Sequence, residues 1–190
     1  MNKKRLSSTA IILSGFLIVI LIGSILLALP ISHAHDVSIS YIDALFTATT
    51  STCVTGLVTV PTVSSWSIFG QIVILLLIQI GGLGVITIIT VAMLLAGKHL
   101  GLSDRIIIQD AFNLNTLSGM IKFVRKVIKY TLFIEGCGAL TYMLIFIPEF
   151  GLRGIWISIF NSISAFCNAG LDIISPDSLY NYRFNIPVNI

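Results

Sequence analysis

Two short segments of this sequence carry the residue types needed to strip water from a cation with main-chain oxygens. They are Thr52-Cys53-Val54-Thr55-Gly56 and Phe166-Cys167-Asn168-Ala169-Gly170, and each ends in glycine. An ion leaving water needs oxygen ligands in place of its hydration shell, and rings of backbone carbonyls supply them in selective filters. Carbonyls turn toward a common axis only where the backbone takes unusual dihedrals, and glycine reaches positive φ without steric cost. Leading into the first segment, Thr47, Thr49, Thr50, Ser51 and its first residue Thr52 add hydroxyls to a stretch that would otherwise be apolar. One glycine alone would carry little, because glycine commonly just ends a helix.

The two segments are copies. Phe46 to Leu57 aligns without gaps on Phe160 to Leu171 at a constant offset of 114 residues; Phe, Cys, Gly and Leu coincide and Thr50 faces Ser164. Each follows a stretch of about 12 residues, Ser40 to Ser51 and Gly154 to Ala165, too apolar for water and too short to span a bilayer, which predicts a half-crossing helix. Irregular backbone at membrane depth is tolerated only where protein buries it or a water-filled cavity runs beside it, so such stretches mark a pathway. A half helix whose C-terminal end faces the site adds partial negative charge where a cation would sit. A short helix packed for stability alone is the alternative for either stretch.

Positioning these loops requires longer elements. The 190 residues are 56% hydrophobic and 10% charged, against about 25% charged in soluble domains, which points to lipid as the solvent. Thr9 to Leu29, Ile68 to Ala96 and Val127 to Ile147 are each long enough for a core needing about 20 apolar residues. The first run exceeds a signal-peptide apolar region and has no small-residue cleavage site directly after it, so it is read as a retained span. Nine of the eleven basic residues flank the first span's start or lie between and beside the second and third, and Ile31 to Ser67 has no Lys or Arg. The positive-inside rule then makes the N-terminus and residues 97 to 126 cytoplasmic and the Ile31 to Ser67 connection external.

The expected architecture is all-α: polytopic transmembrane helices with re-entrant pore helices and filter loops. Residues 1–97 form a first helix, pore loop and helix repeat, 98–126 a cytoplasmic amphipathic connection, and 127–190 an incomplete second repeat. Asn181 to Ile190 reads as the approach to a fourth span, which predicts a fragment of a longer chain. Leu100 to Val124 mixes Asp104, Arg105, Asp110 and Lys122 with an apolar set, as an interfacial or partner-facing stretch does.

Other residues carry two readings each. Gly81, Gly82 and Gly84 in the second span fit close helix packing better than ion contact. Glu135 in the third span is either a functional intramembrane acid or a locally paired interior group. Asp43 and Asp172 beside the loops either concentrate cations at the external mouth or serve solubility. Cys53 and Cys167 match in the repeat, and as buried cysteines would act as small hydrophobes, leaving only their backbone in the filter. With Cys137 they show neither a disulfide framework nor zinc spacing. His33, His35 and His99 are scattered, nothing marks an enzyme, and no basic stripe with interleaved aromatics supports nucleic-acid binding.

The sequence resembles the Trk/Ktr/HKT superfamily of potassium-uptake membrane subunits, most of all its bacterial KtrB type. The match runs through Leu29-Pro30, Tyr41 to Ala48, Thr55-Gly56-Leu57, Gln79 to Gly84, Ile163 to Phe166 and Asn168 to Leu171. That resemblance implies four repeats of helix, pore helix and helix around a central pore, of which about one and a half are present here. A third repeat with an intramembrane gating loop lies outside this sequence. It also implies potassium as the transported ion, no covalently bound cofactor, a homodimer in the bacterial plasma membrane, and a cytosolic nucleotide-binding (RCK-type) subunit that gates it. Gly56 and Gly170 map onto two family glycines associated with potassium preference, where serine at the first goes with sodium transport. Sodium as a coupling ion, a sodium-conducting member, and a regulatory membrane protein that transports nothing all stay open. A secondary transporter with broken helices would show inverted repeats, whereas these copies share one orientation.

Overall fold

A computed structural model describes residues 8–35, 37–84, 87, 120–175, 178–182 and 184. Their elements are α1 (Ser8–Ala28), a 3-10 turn (Pro30–Ser32), α2 (Tyr41–Cys53), α3 (Thr62–Ser65), α4 (Ile68–Leu83), α5 (Met120–Phe150), α6 (Arg153–Phe166) and a second 3-10 turn (Ser178–Tyr182). No strand occurs among them, and the all-α expectation holds. The amphipathic stretch from Leu100, most of the 98–126 connection and nearly all of the approach from Asn181 lie outside the described residues.

At a rise of 1.5 Å per residue, the 21 residues of α1 reach about 31 Å, the thickness of a hydrocarbon core. Within α5, Lys122–Phe150 is long and apolar enough to cross a membrane, and Ile12–Ala28 and Ile68–Leu83 are shorter apolar helices. Leu17, Leu21 and Ile25 on α1 and Leu132, Phe133 and Leu144 on α5 are all exposed, Leu144 at 79%. Large apolar side chains thus face outward from both helices, beyond the scattered exposure usual in soluble proteins.

The first repeat closes through its connections. Ser67 N–H donates to Ser32 O and Ala34 N–H to Ser65 O, both at 2.9 Å, while the Ser67 hydroxyl donates to Ile31 O at 2.6 Å. The end of α1 is thereby tied to the start of α4. Between them α2 starts at Ser40, whose Oγ accepts the Asp43 N–H, and ends against Gly81, where an added Cβ would fall 2.1 Å from Thr52 O. Gly81 lies thirteen residues into α4, or about 20 Å along its axis. The chain descends along α4 as a helix and returns to α3 in irregular form, a path within the reach of eight residues at about 3.3 Å each.

The second repeat is built the same way. Gly151 (φ +62) turns the chain between α5 and α6, and Gly154 lets the start of α6 press on α5, since a Cβ there would meet Phe146 O at 2.3 Å. Further on, the Ser162 hydroxyl donates to Glu135 O at 2.6 Å, so α6 runs antiparallel along α5. The two repeats share one core, in which Ala44, Ala48, Trp66, Ile74 and Ile78 meet Phe146, Ile157, Phe160, Leu171 and Ile173.

The two stretches expected to form short helices coincide with α2 and α6 within two residues at each end. The described part of the expected second span, Ile68 to Ala96, is helical as far as Leu83, where Gly84 takes φ +82 and its N–H turns back to Gly81 O. Hydropathy runs on through these glycines, but the helical backbone does not. Residues 85, 86 and 88–96 of that span lie outside the described ones.

Candidate functional site

Both half helices end in the same backbone pattern. α2 stops where Val54 adopts a left-handed conformation (φ 53, ψ 44), and Asn168, its counterpart at the 114 offset, has φ 56. Two residues later Gly56 has φ +74 and Gly170 φ +66. Positive φ is costly for a β-branched residue such as valine and persists only where surrounding contacts impose it.

Hydrogen bonds impose it in both copies. Thr55 N–H donates to Thr50 O at 3.0 Å and Ala169 N–H to Ser164 O at 2.8 Å. Leu57 N–H donates to the Thr50 hydroxyl at 3.0 Å, and Leu171 N–H to the Ser164 hydroxyl at 3.1 Å. Each loop is thus clipped to the last turns of its helix by one side-chain oxygen. The second hydrogen bond of that hydroxyl differs. Thr50 meets the Thr55 hydroxyl at 2.6 Å, whereas Ser164, opposite Ala169 with no hydroxyl, donates to Leu171 O.

The two loops meet at their glycines. A Cβ on Gly56 would lie 2.9 Å from the carbonyl oxygen of Ala169 and 3.3 Å from the Cα of Gly170, and one on Gly170 would lie 3.3 Å from the Cα of Gly56. Main chain therefore stands against main chain, with the Ala169 oxygen between the loops. Beside the second loop a cavity of about 300 Å³ is lined by Asn161, Ser164, Asn168, Gly170, Leu171 and Asp172 among others.

The predicted residues sort unevenly around this contact. Val54, Thr55, Gly56, Asn168, Ala169 and Gly170 lie in the loops, with Cys167 capping α6. Thr52 and Cys53 form the last turn of α2 and Phe166 ends α6. The Thr52 carbonyl is turned onto Gly81 of α4. Cys167 is half-buried, but Cys53 is exposed, which corrects the expectation of two buried cysteines; its position at the end of α2 leaves it uncovered.

Several polar groups have local partners that account for them. Thr49, Ser51 and Thr52 donate their hydroxyls to Leu45 O, Thr47 O and Ala48 O one turn back, whereas the Thr50 hydroxyl serves the loop. Asp43 accepts the Ser40 hydroxyl at 2.6 Å, at the end of α2 far from its loop, about 15 Å along the helix. Hydrogen bonds from Ser40 and Thr59 hold the Asp43 carboxyl below its ordinary value. Asp172 adjoins the second loop and folds it, accepting Ile174 N–H at 3.1 Å and the Ser178 hydroxyl.

Two partners were not foreseen from the sequence. Glu135, buried on α5, accepts Gln79 Nε2 at 2.9 Å, and Trp156 of α6 donates to Gln71 of α4 at 2.8 Å. The packing reading of the glycine run is right for its first two members. Gly81 admits Thr52, and Gly82 admits Cys167, whose Sγ would stand 2.4 Å from a Cβ at position 82.

Two short helices that end in like loops, packed against apolar helices and repeated once, make an all-α arrangement with a helix long and apolar enough to cross a membrane. Residues 5–190 match the family model TrkH, described as a cation transport protein, and the chain belongs to that family. It is 44% identical to the potassium/sodium uptake protein NtpJ of Enterococcus hirae over 97% of its own length and 41% of the relative's. It is 40% identical to the Ktr system potassium uptake protein B of Bacillus subtilis, covering 98% of this chain and 41% of that one. The protein of the same name from Vibrio alginolyticus is 35% identical, over 95% and 39% of the two lengths. The chain thus spans about two fifths of the curated relatives it matches.

Proposed function

We propose that this chain supplies two of the four walls of a potassium filter in the translocating subunit of a Trk/Ktr-type uptake system. Of the expected segments 52–56 and 166–170, the backbone oxygens of residues 53–56 and 167–170 act as the ion's ligands, because the Thr52 carbonyl faces Gly81 and Phe166 ends α6; no covalent chemistry and no bound cofactor take part. The observation that carries this reading is the Ala169 carbonyl standing against Gly56, which puts a main-chain oxygen between two glycine-ended loops. Oxygens so placed take over from water around a dehydrated cation, and weak, replaceable binding lets it move on. The relatives named for potassium uptake support potassium as the cargo. The name of the Enterococcus relative keeps sodium as a second transported or coupling ion.

In this reading α1, α4 and α5 span the bilayer, α2 and α6 re-enter from outside, and the N-terminus is cytoplasmic in a bacterial plasma membrane. Two copies of the complete subunit pair, and a cytosolic nucleotide-binding subunit docks on the cytoplasmic face that includes residues 98–126. The two acids differ in their fit to a cation-gathering mouth. Asp172 adjoins the cavity beside the loop, whereas Asp43 acts in capping α2.

The test is Gly56→Ser in the full-length protein, expressed in a potassium-uptake-deficient strain. A side chain at φ +74 and within 3 Å of Ala169 O must displace a filter oxygen. Preference for potassium over sodium should fall on the order of tenfold, equivalent to about 1.4 kcal/mol. Unchanged relative uptake of the two ions would refute the filter assignment.

A further inference from the structure

Glu135 is 5% exposed, and no basic side chain pairs with it among the described residues. Its partner is an amide, Gln79, whose Nε2 donates to Glu135 Oε1 at 2.9 Å. Because the carboxylate takes the NH2 end, the carbonyl end of Gln79 is left as an acceptor. That oxygen, Gln79 Oε1, lies 3.9 Å from Cys167 Sγ at the start of the second loop. Gln79 and Gly82 are three residues apart and share one face of α4. Gly82 opens the slot in which Cys167 sits, and Gln79 holds the thiol at its edge. The main chain of Glu135 also accepts the Ser162 hydroxyl of α6. One buried acid therefore connects α4 of the first repeat, α5 of the second, and the helix and loop that follow it.

We propose that Gln79 and Glu135 are a positioning pair that seats the second loop against α4, with the carboxyl acting as a hydrogen-bond acceptor and not as an ion ligand. The consequence for ion preference rests on the filter reading above; the seating of Cys167 does not. An acceptor role and an ion-ligand role separate at Glu135→Gln, which keeps a carbonyl for Gln79 and removes the charge. They converge at Glu135→Leu, which removes both.

The experiment uses the full-length protein in the same deficient strain, in a Cys53→Ala, Cys137→Ala background with any other cysteines also replaced. Two quantities are read from variants matched for membrane content: potassium over sodium uptake, and labelling of Cys167 by N-ethylmaleimide, quantified by mass spectrometry. Glu135→Gln should leave both within about twofold of the parent, while Glu135→Leu and Gln79→Leu each raise labelling and lower ion preference by roughly fivefold or more. The double Leu variant should be no worse than either single one, as for residues acting through one shared contact. Loss of preference in Glu135→Gln equal to that in Glu135→Leu would overturn the proposal in favour of the carboxylate acting on the ion. Unchanged Cys167 labelling in both Leu variants would overturn it as well. If Glu135→Leu does not reach the membrane, Gln79→Leu supplies the labelling result and Glu135→Gln the charge result. Raised labelling with unchanged ion preference, together with no effect of Gly56→Ser, would uphold the pair and reject the filter.

Discussion

The hydroxyl oxygen of Thr50 stands to the N–H of Leu57 as that of Ser164 stands to the N–H of Leu171, at 3.0 and 3.1 Å. The two side chains are equally buried, but Leu171 is buried and Leu57 is exposed. Removing the acceptor therefore strands a buried N–H in the second copy only. Ser164→Ala should destabilise the full-length protein by about 1–3 kcal/mol and Thr50→Val by about 0.5–1.5 kcal/mol. Thermal unfolding of the purified transporter in detergent measures the order, and equal losses would show that the clips do not differ in burial as described.

Glycines in the helices separate into those that admit a neighbour and those that do not. A Cβ at position 81 would meet the main-chain oxygen of Thr52 at 2.1 Å, while one at position 136 has nothing within 4 Å. Gly81→Ala has to push the end of α2 away from α4, and should abolish uptake or membrane accumulation. Gly136→Ala gains helix propensity of up to about 1 kcal/mol and should leave uptake intact. Immunoblots of membranes alongside uptake assays check both; a tolerated Gly81→Ala would mean that α2 does not seat on α4 as described.

Asp43 ties its stabilising effect to pH. Its carboxyl is held below the ordinary value by Ser40 and Thr59, so the ionised form is favoured in the folded state. The contribution is complete above the unfolded-state value and fades as pH falls through the lowered folded one. Asp43→Asn should therefore melt lower than the parent near neutral pH, with the gap closing in acid. A gap that stays constant from neutral pH to below the ordinary aspartate range would remove the carboxylate from the capping of α2.

Much of this was legible in the sequence because the repeat places like residues in like positions. The 114 offset picks out the half helices, the loops and the two glycines, and the equivalence of Thr50 and Ser164 was visible although its purpose was not. What a repeat cannot reveal is contact between unlike positions. Gln79 with Glu135 and Trp156 with Gln71 join different helices at unrelated offsets, and only the fold brings them together. The helix end at Gly84 was not legible for another reason: average apolarity carries no information about where φ changes sign. The exposed Cys53 shows the same limit, since apolar neighbours in sequence do not guarantee cover in space.

The central claim concerns where a cation rests, and anomalous X-ray scattering from the full-length transporter crystallised with rubidium locates it directly. Density should fall beside the Gly56–Gly170 contact, on the axis the two loops share with the remaining repeats, ringed by main-chain oxygens of residues 53–56 and 167–170 and of those repeats. Rubidium bound elsewhere along the pathway, with these loops empty and their oxygens turned to neighbouring helices, would contradict the account.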